Sequence, residues 1–118
     1  LEAYNGYKKT QVSVTMEKIQ HIAVVVPDIE AALSWYQSEF DVAVNYADQS
    51  WALLQFDNVS LALVAPGEHP PHIAVERENA ESYGTLKRHR DGTASAYIED
   101  PWGNTIEIMK ANPEGARE

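Results

Sequence analysis

Cysteine is absent from the 118 residues, which excludes disulfides, Fe–S clusters, thiolate zinc sites and a cysteine nucleophile. Long hydrophobic runs are absent too. The longest apolar stretches, Ile22 to Val26 and Leu61 to Ala65, are far too short to span a bilayer. No segment has the pattern of a signal peptide, so a soluble cytoplasmic protein is the expectation. Positive charge is scarce: 9 Lys and Arg stand against 18 Asp and Glu, for a formal charge of -9 and a pI near 4.8. Residues 19–76 carry no Lys or Arg at all. An acidic surface repels a phosphate backbone, so nucleic acid is not an expected partner.

What is present suits one small domain. Apolar residues make up 44% and charged residues 23%, enough to bury a core in a chain of this length. A core so small is marginal alone, which makes a homodimer the expected state. Residues 1–15 precede Met16 and read as a leader or an extra edge strand; residues 111–118 read as a loose tail. Between them His21-Ile22-Ala23-Val24 recurs as His72-Ile73-Ala74-Val75.

After the first copy the pattern is strand, helix and three strands. Lys18 to Val26 is β-branched and ends at Pro27-Asp28, a helix N-cap signal. Ile29, Ala32, Leu33, Tyr36 and Phe40 follow at helical spacing. Asp57-Asn58 separates two strands as a two-residue hairpin turn. Residues 65–71 form a Pro-rich linker. The second copy has a weak helix within Glu78 to Leu86, interrupted by Gly84, then three short strands closed by the turn Asp100 to Asn104. The predicted fold is α+β, two βαβββ modules (16–64 and 72–110) with mainly antiparallel pairing within a sheet for each.

Turn lengths set which residues share a face. The Asp57-Asn58 turn pairs Gln55 with Ser60 and Leu53 with Ala62, and a five-residue loop at Asp100 to Asn104 pairs Tyr97 with Glu107. Glu107 then lies between Ile106 and Ile108, where a carboxylate is costly unless paired or ligated. Its alternative is the solvated face of a half-buried strand. His21 and His72 occupy equivalent places in the repeat. Two neutral imidazoles and one carboxylate make a facial set for a divalent metal with open positions for substrate. The competing reading is two strand-start histidines bonded to backbone or water. His69, His89 and Tyr97 are candidate acid–base groups with equally ordinary surface roles.

The run His21-Ile22-Ala23-Val24-x-Val26-x-Asp28, with Trp35-Tyr36 and Phe40, resembles the first module of the vicinal oxygen chelate superfamily. Glu99-Asp100-Pro101-Trp102-Gly103-Asn104-x-Ile106-Glu107 resembles its closing signature. The superfamily includes glyoxalase I, bleomycin-resistance proteins, methylmalonyl-CoA epimerase and extradiol dioxygenases. The resemblance implies a curved, barrel-like cleft with ligand positions at His21, Ala62, His72 and Glu107. Alanine at position 62 weakens a glyoxalase I or epimerase reading, and the remaining His-His-Glu set resembles that of extradiol dioxygenases and fosfomycin-resistance transferases. The expectation is therefore a metalloenzyme, dioxygenase-like or glyoxalase/lyase-like. It would hold one divalent ion (Fe, Mn, Zn or Ni) and chelate a small oxygen-rich substrate, with Glu107 and Tyr97 as catalytic groups. Trp51, Leu53, Gln55, Ser60 and Thr105 are expected to line the substrate site. The short linker allows the site to be shared between two chains. The alternative is a metal-free protein of the bleomycin-resistance type that sequesters a small molecule.

Overall fold

The computed structural model describes residues 16–89 and 91–110; the leader and tail expected at 1–15 and 111–118 lie outside them. The chain runs β1 (Ile19–Val25), α1 (Ile29–Glu39), β2 (Ala43–Ala47), β3 (Trp51–Gln55), β4 (Ser60–Val64), β5 (His72–Arg77), a 3-10 turn (Ala80–Tyr83), β6 (Lys87–Arg88), β7 (Ala94–Glu99) and β8 (Thr105–Lys110). The eight strands form one sheet in the order β2-β3-β4-β1-β5-β8-β7-β6. This corrects the expectation of a separate sheet for each module. β1 and β5 pair with each other, because each otherwise leaves one edge of backbone N–H and C=O groups unpaired. Each module closes with a parallel pair, β1–β4 and β5–β8, and the other ladders are antiparallel.

Local sequence explains the elements. Asp28 Oδ1 accepts the Ala31 backbone N–H at 3.0 Å and starts α1. The helix packs Ile29 onto Ala52, Leu54 and Leu63, with Ala32, Leu33 and Tyr36 around them. Leu54 and Leu63 are fully buried, each worth about 1.5–3 kcal/mol of transfer free energy. In the second module the helix shrinks to one 3-10 turn. Gly84 follows it at φ 148°, ψ 179°, a conformation only glycine adopts readily, and Ala80 is the turn's buried contact with the sheet. The Asp57-Asn58 hairpin is closed by Phe56 N–H to Val59 C=O at 3.0 Å. Its residues keep negative φ, so it is not the mirror-image turn common in such hairpins. No helix among the described residues is long and apolar enough to cross a membrane.

Candidate metal centre

The site follows from the register of the central strands. Ile22 is opposite Ile73, His21 opposite Ala74 and Ala23 opposite His72. The pairing is reciprocal, so a pseudo-two-fold axis passes through the Ile22–Ile73 pair. His21 and His72 are then diagonal neighbours on one face. The parallel ladders extend the symmetry: Ala74 is opposite Glu107, and Ala23 is opposite Ala62. Glu107 and Ala62 therefore occupy equivalent corners, one carrying a carboxylate and the other a methyl group.

His21 Nε2, His72 Nε2 and Glu107 Oε1 form a triangle with sides of 3.3 Å (His21–His72), 3.2 Å (His21–Glu107) and 3.0 Å (His72–Glu107). Ligands sharing one face around an ion with bonds near 2.1 Å lie about 3.0 Å apart in an octahedron and about 3.4 Å apart in a tetrahedron. The triangle fits between them. Outer bonds set the direction of the lone pairs. His72 Nδ1 lies 2.7 Å from the Pro70 carbonyl oxygen, and His21 Nδ1 bonds to Gln20 Oε1. With each Nδ1–H given to those acceptors, both Nε2 lone pairs face the triangle. Two lone pairs and a carboxylate oxygen then converge on one point, an arrangement a cation completes.

The other carboxylate oxygen is also engaged. Ser95, wholly buried, donates its Oγ–H to Glu107 Oε2 at 2.8 Å, while His89 Nε2 lies 2.7 Å from Ser95 Oγ and 3.5 Å from Oε2. Burial pushes the Glu107 carboxyl up, but the bonds from His21, His72, His89 and Ser95 outweigh it and hold the group well below the usual carboxylate range. Burial pulls the His72 imidazole down. The bond to Glu107, the Pro70 carbonyl and the Glu107 charge outweigh that and leave it above its ordinary value. His69 is lowered by burial and by the neighbouring His72 and His89. Burial, then the Glu107 charge, pushes the Tyr97 phenol up, so it stays protonated as a donor.

The triad lines a cavity of about 150 Å³. Of the expected substrate residues, Trp51, Leu53 and Tyr97 line it as well. Gln55 and Ser60 do not: Ser60 Oγ–H donates to Gln55 Oε1 at 2.7 Å and Gln55 Nε2 donates to the Phe56 carbonyl at 2.6 Å. Both fall in the same cross-strand row as His21 and Glu107 but lie beyond the cavity, which corrects their place at its wall. Thr105 instead lines a shallow neighbouring recess. The cavity gathers His69 and His89, so all four histidines of the chain meet there. His69 stacks on Tyr97 with the ring planes 12° apart. Ser95 was legible in principle, since it lies two residues from Tyr97 and so shares its face. Gln20 was not: a bulge between Ile19 and His21 turns two consecutive residues toward one cavity. His21, His72 and Glu107 come together within one chain, so the site is not shared between two chains as the linker allowed.

No protein-family model and no curated protein matches the sequence. Solved structures do match. Methylmalonyl-CoA epimerase from Mycobacterium tuberculosis aligns with a TM-score of 0.70 at 16% identity, over 87% of this chain and 94% of that one. A glyoxalase/bleomycin resistance protein/dioxygenase superfamily member from Vibrio splendidus aligns at 0.59 and 12% identity, over 80% and 99%. The chain has the glyoxalase-like fold of the vicinal oxygen chelate superfamily. A further vicinal oxygen chelate structure, Streptomyces coelicolor methylmalonyl-CoA epimerase in complex with 2-nitronate-propionyl-CoA, aligns at 0.69 and 16% identity, over 86% and 99%. Within this fold the His-His-Glu group lies at the seam between the two modules, where β1 meets β5.

Proposed function

We propose that the chain is a divalent-metal-dependent enzyme that acts on a small molecule chelated through two neighbouring oxygens at His21, His72 and Glu107. The observation that carries this reading is the convergence of three acceptor atoms within 3.0–3.3 Å, each fixed from behind. A divalent ion held there supplies Lewis acidity toward substrate oxygens. Glu107 has both oxygens occupied, so its part is ligation and not proton transfer. The protonated Tyr97 hydroxyl donates a hydrogen bond to a substrate oxygen, and His69, 3.5 Å from that hydroxyl through Nδ1, stays neutral and receives a proton. Trp51 and Leu53 exclude water from one side. The methyl group of Ala62 leaves room where an opposing carboxylate would stand, which favours the dioxygenase-like chemistry over proton shuttling between two acids.

The same proposal takes the protein as a cytoplasmic homodimer. Trp35 and Phe40, 53% and 45% exposed with ring centroids 6.0 Å apart, support self-association. Sedimentation that finds only monomer at micromolar concentration removes that part. The metal reading is tested by elemental analysis of protein purified without chelator, beside His21→Ala and Glu107→Ala. About one Fe, Mn, Zn or Ni per chain, lost in both variants, is the expected result. No metal after incubation with each ion leaves sequestration of a small molecule as the function.

A further inference from the structure

The charge around the cavity determines which chelators it admits, an inference that rests on the metal reading above. Two exposed carboxylates, Glu68 from the linker and Asp91 from the β6–β7 turn, line the cavity with the triad. Among the described residues, no Lys or Arg lines it. Asp91 is fixed in place, its Oδ1 accepting the Thr93 N–H at 3.0 Å and the Thr93 hydroxyl at 2.8 Å. Lys87 lies in the adjoining recess that shares His69 and Tyr97 with the cavity, and Glu99 accompanies it there.

A chelating substrate presents its two oxygens to the ion, so its far end meets Glu68 and Asp91. A carboxylate or phosphate on that end faces two like charges, whereas an amine faces two opposite ones. Trp51, Leu53, Val64 and Met109 supply apolar surface for the body between. We infer that Glu68 and Asp91 are specificity-determining residues, selecting an apolar-bodied oxygen chelator whose far end is uncharged or carries an amine and rejecting one that carries a carboxylate or phosphate. A CoA thioester, with its phosphates, falls in the rejected class. The chain shares the fold of the CoA-bound Streptomyces structure without offering this cavity a cation to receive such a ligand.

Calorimetry of the Mn(II)-loaded protein under nitrogen tests this with dopamine, methylcatechol and dihydroxyphenylacetate, catechols that differ mainly at the far end. Dopamine and methylcatechol are expected to bind about 10-fold or more tighter than dihydroxyphenylacetate. That margin shrinks in the Glu68→Gln/Asp91→Asn protein, where Asp91→Asn keeps an oxygen for the Thr93 bonds. Raising the ionic strength on the unaltered protein narrows the margin in the same way and needs no variant to fold. Equal or tighter binding of dihydroxyphenylacetate, or a margin that ignores both neutralisation and salt, overturns the inference while the bound Mn(II) upholds the metal reading. Failure of Mn(II) to bind, seen before any catechol is added, overturns that reading and this inference with it.

Discussion

Glu107 must give one oxygen to the metal triangle while its second oxygen stays buried, and Ser95 holds it in that pose from the neighbouring strand with a 2.8 Å bond. Ser95→Ala removes that donor and leaves a buried carboxylate oxygen short of a partner. Metal affinity is expected to fall about 10–100-fold, with Ser95→Thr closer to the parent, both read by calorimetric titration. The protons at this site give a second expectation. In metal-free protein His72 is pulled down by burial but raised on balance by Glu107 and the Pro70 carbonyl. Its pairing therefore stabilises fully below the ordinary 6.5, and the contribution is lost as pH rises through the raised value. Glu107, lowered on balance, contributes above its ordinary 4.5 and loses that contribution as pH falls through the lowered value. The metal-free protein is thus expected to gain most from the pair between pH 4.5 and 6.5. A metal ion competes with the His72 proton, so metal affinity rises with pH where metal-free stability declines. Urea midpoints with and without metal across the neutral range check the opposite slopes.

Among the elements, the shortened second module is governed by Gly84. Its φ of 148° ends the 3-10 turn and redirects the chain toward β6, while an added Cβ would meet Ala96 Cβ at an ordinary 3.8 Å. Gly84→Ala is then a test of backbone conformation without a packing clash. A loss of about 1–3 kcal/mol is expected in equilibrium denaturation. The same module shows where sequence reasoning reaches its end. The pairings Gln55–Ser60 and Tyr97–Glu107 were legible because a turn of known length fixes register and period-2 alternation fixes the face. The two histidines were legible because the repeat places them alike. The joining of both modules in one sheet depends on which strand edges meet, which no local pattern encodes. His69 and His89 sit in a Pro-rich linker and beside a basic run, so their composition looks like surface. Only the curl of the sheet brings them to Tyr97 and Ser95. Gln20 was hidden by a bulge that breaks the alternation used to find His21.

At the scale of the whole molecule the metal site is a clasp. One ligand, His21, belongs to the first module, and two, His72 and Glu107, belong to the second; between the modules runs the β1–β5 ladder centred on Ile22 and Ile73. An ion bound at that seam joins halves that are otherwise connected there by backbone bonds and the linker. Binding to the folded state alone raises stability in proportion to the logarithm of free ion over Kd, about 2.7 kcal/mol when the ion is at 100 times Kd. Chelation with EDTA is therefore expected to lower the melting temperature, and re-addition of metal to restore it. His21→Ala isolates the clasp from general ion effects. The variant removes the first module's only ligand and leaves the second module's pair intact, so its melting temperature should become insensitive to EDTA. A melting temperature that moves equally in parent and variant would place the stabilising ion somewhere other than the seam.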